Sequence, residues 1–117
     1  MKMTGKHDPR TLAERLRPVL EGHSPIAEKR MFGGICFLLR DHMLCGTGKP
    51  GFMFRVGKEA HAEALARPGA TPMEFKGRRL SGFIWVDPEV CDRRALKSWL
   101  ALAERYVKTL PPKARAR

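Results

Sequence analysis

The sequence predicts an α+β domain, a two-layer α-β(3)-α-β(2)-α arrangement with one antiparallel sheet and its helices on one face. Three observations predict it. The pairs Asp8-Pro9 and Asp87-Pro88 mark helix starts near either end of the chain. Between them, short apolar runs broken by turn residues read as consecutive hairpins. Leu96, Trp99, Leu100, Ala103 and Val107 then form an apolar stripe at helical spacing. A chain of 117 residues fits a single domain.

Asp8 offers a carboxylate to the first free N–H groups of a helix, and Pro9 stands where its missing donor costs nothing. Leu12, Leu16, Val19 and Leu20 give that helix an apolar side, with Gly22 as its stop. Pro18 predicts a kink or an early end near Arg17. The stretch "HSPIAEKRMFGG" reads as a loop. "ICFLLR", "MLCGTG" and "FMFRVG" read as three strands, with "DH" and "KPG" as their turns. "KEAHAEALAR" has helical character with Ala60, Ala64 and Leu65 on one side, and "PGATP" ends it. "MEFKGRR" and "LSGFIWVD" form a second hairpin, and Asp87-Pro88-Glu89 opens the last helix, whose outer side carries Arg94, Lys97 and Arg105. The boundaries expected are a flexible segment over 1–7, the domain over 8–112 and a disordered basic tail over 113–117.

Composition narrows the function classes. The 43% apolar content supports a packed core. The longest apolar run, Ile35 to Leu39, has five residues, far short of a membrane span. The N-terminus has no apolar segment of the secretory kind, and three cysteines make no disulfide framework, so a reduced, cytoplasmic protein is expected. The net charge of +11 favours polyanionic partners, nucleic acid first. Lys76, Arg78 and Arg79 crowd one hairpin turn. With Arg93, Arg94 and Lys97, and with Lys113, Arg115 and Arg117 of the tail, they are the candidate phosphate contacts.

No residue pattern announces catalysis. "LCGTGKPGFMF" resembles a phosphate loop at first sight, but Pro50 follows Gly48-Lys49 where Ser or Thr belongs, Met43 replaces the first glycine, and a strand follows instead of a helix. The stretch reads as a hairpin turn. His42 and Cys45, three apart on a hairpin, are expected on opposite faces; Cys36 and Cys45 are expected to share one, without the further ligands zinc requires. Cys91 is expected in the first turn of the last helix, where the dipole lowers a thiol pKa, but no His or Asn orients it. His7, His23 and His61 are expected to titrate in water. No catalytic residue, cofactor or metal is therefore assigned. Cys36, Leu38 and Cys45 alternate against Ile35, Phe37 and Leu39, so both faces of the first hairpin are expected to be apolar. A second copy of the chain is the simplest cover for the face without helices.

The segments "EKRMFGGICFLLRDHMLCG", "FMFRVG", "ARPGATPMEFKGRRLSGFIWVDPE" and "LKSWLALAERYVKTLPPK" resemble the N-terminal domain of the TfoX (Sxy) competence-regulator family, from about Ala27 to Lys113. Arg30-Met31-Phe32-Gly33-Gly34 is the most recognisable motif, and "RVG", "ARPGA", "GR", "VDPE" and "LPPK" follow in order. Arg79 stands where the family pattern has proline or another residue, and Pro18 interrupts the first helix. The resemblance implies a two-layer fold similar to secretion-chaperone-like folds, in a free-standing form without the C-terminal domain of the full-length regulators. It also implies a link to transcription, since those regulators co-activate competence genes with the cyclic-AMP receptor protein. It brings no catalytic residues. Gly33-Gly34 reads as a structural pair that lets the chain turn with φ > 0, with Met31 and Phe32 packing into the helix layer. The function expected is a non-enzymatic regulatory or adaptor domain, homodimeric, with an unidentified protein partner of which the transcription machinery is one candidate. Direct nucleic-acid binding is the alternative.

Overall fold

Asp8 caps the first helix as its position demands, its Oδ1 accepting the Arg10 N–H at 2.9 Å, and Pro9 takes the first helical place. This is a computed structural model, and it describes residues 7–22, 25–31 and 33–111. The expected segments 1–7 and 113–117 lie, apart from His7, outside the described residues. Helix α1 spans Pro9–Leu20 and buries Leu12, Ala13, Leu16, Val19 and Leu20. Pro18 does not end it early. It sits in the last turn, where its ring forfeits one N–H bond and its own carbonyl still accepts the Glu21 N–H at 3.4 Å. Gly22, at φ 86°, is the stop.

The supposed loop contains a strand. β1 (Ile26–Met31) pairs antiparallel with β2 (Gly34–Leu39), from Ile26 opposite Leu39 to Met31 opposite Gly34. Its middle residues Ala27, Glu28, Lys29 and Arg30 are all exposed, so no alternation betrays it. It is a strand because β2 offers its backbone, and its charges suit a guarded edge. Arg17 of α1 reaches it, giving both Glu28 oxygens a guanidinium bond at 3.0 and 2.7 Å. That pairing holds the Glu28 carboxyl below its ordinary range. The element order is therefore α-β(4)-α-β(2)-α rather than α-β(3)-α-β(2)-α.

β2 turns into β3 (His42–Gly48) through Arg40 and Asp41, both at positive φ (54° and 68°), one residue earlier than the "DH" turn expected. β4 (Gly51–Arg55) follows Lys49-Pro50. Helix α2 (His61–Leu65) is five residues long, and it sets Ala64 into the core. β5 (Ala70–Phe75) takes in residues expected to be loop, and β6 (Arg78–Val86) begins earlier than expected, because the hairpin turns at Lys76-Gly77 (φ 53° and 78°). The six strands lie in the order β1-β2-β3-β4-β6-β5, every neighbouring pair antiparallel.

Asp87-Pro88 opens a 3₁₀ turn, Pro88–Val90, and not the last helix. Helix α3 (Arg93–Val107) starts from Asp92, whose carboxylate accepts the Ala95 N–H at 2.8 Å. Leu96, Trp99, Leu100, Ala103 and Val107 are all buried, as the stripe requires. Trp99 stacks on Phe54 of β4 at 5.5 Å, and the Arg67 guanidinium covers it at 4.8 Å. One continuous core of side chains from all three helices and from β2, β3, β4 and β6 puts the helices on one face of the sheet. Among the described residues no helix is long and apolar enough to cross a membrane.

Candidate functional site

The face opposite the helices is built by register. Gly34, Cys36 and Leu38 of β2 point there with Met43 of β3, Met53 of β4 and Trp85 of β6. Cys36, Leu38 and Met53 are under 10% exposed, whereas Met43, Phe83 and Trp85 are half-buried. Trp85 lies across Gly48, where a Cβ would meet its ring at 2.8 Å. No described element packs on this face. Met31 belongs to it as well, being opposite Gly34, and does not enter the helix layer as expected. Phe32 is outside the described residues. Arg30 is exposed at the edge of the sheet.

The structure divides the candidate phosphate contacts. Lys76, Arg78 and Arg79 surround the β5–β6 turn, where Arg79 lies 3.9 Å from Glu74. Arg93, Arg94 and Lys97 are exposed on the first turns of α3, beyond the opposite end of β6. β6 has nine residues, so the two groups are separated by about 26 Å of strand. They form two patches. Lys113, Arg115 and Arg117 lie outside the described residues.

A third feature was not read from the sequence. A cleft of about 780 Å³ opens between β4, β6, the segment before α2 and the C-terminal half of α3. Arg55, Lys58 and Arg105 contribute cations to its wall, Glu59 and Glu63 anions, and Phe83, Leu102 and Tyr106 apolar surface. The Arg55 guanidinium lies 5.5 Å from the Phe83 ring centre and 5.6 Å from that of Tyr106. Gly57 makes this possible, because a Cβ there would meet the Tyr106 ring at 2.3 Å. Residues 55, 83 and 105 meet only through the sheet order and the return of α3. No local pattern announces such a meeting.

The other titratable groups are structural. Lys49-Pro50 is the hairpin turn expected, and Gly51 (φ 140°) passes so close to Val86 that a Cβ would lie 2.4 Å from its carbonyl oxygen. A bulge opposite Phe37 brings Cys45 and His42 to the same, helix-side face, and leaves Cys36 on the other, reversing both expectations. His42 Nε2 meets the Pro111 carbonyl at 2.7 Å, and Thr47 donates to the Pro9 carbonyl at 2.8 Å. His61 is not simply bathed in water, since its Nδ1 accepts the Gly82 N–H at 2.9 Å. Burial pushes all three thiols up, Cys91 to about 11. Cys91 precedes the helix cap and gains no dipole activation. No group of three or more ligand side chains suited to a metal occurs among the described residues.

A family model described as the TfoX N-terminal domain matches residues 18–106. No curated protein and no solved structure matches the chain.

Proposed function

The chain belongs to the TfoX N-terminal domain family, and on that premise we propose that it is a non-enzymatic, cytoplasmic regulatory adaptor working through protein contacts of its helix-free sheet face. The observation that supports this is the row of Met43 and Trp85, half-buried beside buried Cys36, Leu38 and Met53 with no described element packed above them. Self-association through that row makes a homodimer, and the transcription machinery is the partner class in keeping with the family. The buried thiols, His42 and His61 carry structural roles, which is the reason for reading an adaptor rather than an enzyme.

Sedimentation equilibrium tests the reading. The expected mass is twice 13.2 kDa at micromolar concentration, and Trp85→Lys is expected to return it to the monomer while circular dichroism stays native. A wild-type monomer across the whole concentration range removes the homodimer, and an unchanged dimer in Trp85→Lys moves the interface off this face.

The charge of +11 favours a second reading, nucleic-acid binding through the two basic patches. On this reading, charge reversal at Arg78, Arg79 and Arg94 flattens the slope of log K against log salt by about one for each phosphate no longer neutralised. Fluorescence anisotropy with a short duplex measures it. A slope unaltered by all three substitutions sinks the reading.

A further inference from the structure

The geometry points to the cleft beside Tyr106 as a binding site for a small organic oxyanion, a carboxylate or phosphate monoester with an apolar body, and to Arg55 as the residue that receives its head group. The inference does not rest on the adaptor reading: the cleft lies at the end of β4, beside β6 and α3, and ligand binding there is measured separately from oligomeric state. Its volume of about 780 Å³ is that of a small-molecule pocket.

Arg55 is half-buried, and its guanidinium lies against two ring faces, Phe83 at 5.5 Å and Tyr106 at 5.6 Å. Contact with two rings restricts where the guanidinium can sit, and its plane carries the donors. The N–H donors lie in that plane, along its edge, and no carboxylate or carbonyl among the described residues takes them. A half-buried guanidinium in the wall of a cleft, packed on two rings and with no protein acceptor among the described residues, is matched by a bidentate oxyanion.

The remaining walls define the ligand further. Lys58 and Arg105 add positive charge, but Glu59 and Glu63 offset it, leaving the rim at a net +1. A polyanion is repelled by the glutamates; a single head group placed on Arg55 is not. Phe83, Leu102 and Tyr106 then receive an apolar body.

Tyr106 is the only tyrosine of the chain, so protein labelled with 3-fluorotyrosine carries one fluorine signal, within the cleft. Titration with phenyl phosphate and with benzoate is expected to move that signal to saturation, with a Kd of about 1 mM or tighter for at least one of them. The stronger of the two identifies the head group. Benzyl alcohol, of similar shape without the charge, is expected to bind at least about tenfold more weakly, and Arg55→Gln is expected to cost the better oxyanion about tenfold. Arg55→Lys, which keeps the charge but not the fork, falls between. Failure of both oxyanions to saturate, equal binding of benzyl alcohol, or unchanged binding in folded Arg55→Gln overturns the inference. If Arg55→Gln does not fold, exposed Arg105→Gln takes its place: a loss of about threefold is expected, and unchanged affinity overturns the inference.

Discussion

Gly34→Ala is expected to be the most damaging small substitution in the domain, costing about 3 kcal/mol or more and lowering the melting temperature by roughly 15 °C. A Cβ at this position would lie 1.8 Å from the Thr47 carbonyl oxygen and 2.9 Å from its carbon. Both are backbone atoms, and no rotamer change relieves the overlap. β3 cannot retreat cheaply, because Thr47 is paired with Ile35 on one side and Phe52 on the other, and its hydroxyl holds the Pro9 carbonyl at 2.8 Å. The neighbouring Gly33 has a different requirement. Its φ is +74°, and nothing lies within 4 Å of the added atom, so Gly33→Ala costs only the left-handed conformation, about 1–2 kcal/mol. The pair is thus two glycines with two causes, only one of which is conformational freedom. Thermal unfolding followed by circular dichroism distinguishes them, and a Gly34→Ala protein melting within a few degrees of wild type would show that β2 and β3 do not approach so closely.

Why some elements were legible in the sequence and others were not follows from where their cause resides. The α3 stripe and the Asp8 cap are local: side chains within one or two turns decide them, and both are where periodicity and capping chemistry put them. Strand β1 is not local, because residues 27–30 contribute exposed side chains, and the edge of β2 supplies the reason to be extended. The start of α3 was misplaced because Asp87 and Asp92 are both competent caps; Asp87 caps the turn Pro88–Val90, and Asp92 caps the helix itself. The cysteine faces were reversed by one extra residue opposite Phe37, which shifts the alternation that strand reasoning relies on. At the level of the site, the basic residues of the two patches were named from the sequence, but their separation was not, and Arg55 and Lys58 of the cleft were not singled out. Arg79 and Arg93 are near in sequence yet lie beyond opposite ends of a long strand, whereas Arg55 and Arg105 are distant in sequence and line one cleft.

Arg15→Ala is expected to cost about 2–4 kcal/mol, although the residue is charged and sits on the first helix. Its Nη1 donates to the Pro88 carbonyl at 3.2 Å and its Nη2 to the Cys91 carbonyl, while its guanidinium lies 5.0 Å from the Phe52 ring centre. One side chain therefore fastens α1, β4 and the 3₁₀ turn that leads into α3. Alanine leaves the part-buried Cys91 carbonyl without this donor, leaves the Pro88 carbonyl with only the Cys91 N–H at 3.3 Å, and uncovers a ring, and an unsatisfied buried acceptor costs more than the original bond contributed. Arg15→Met separates the two effects by covering Phe52 without donating, and is expected to recover roughly half of the loss. Arg15→Lys keeps a donor but reaches one carbonyl at a time, and belongs between methionine and arginine. Urea midpoints at constant m give the ranking. If methionine equals arginine, packing over Phe52 is the whole contribution and the carbonyls find water instead. If methionine is no better than alanine, the bridge to the turn is what holds the first helix to the body of the domain.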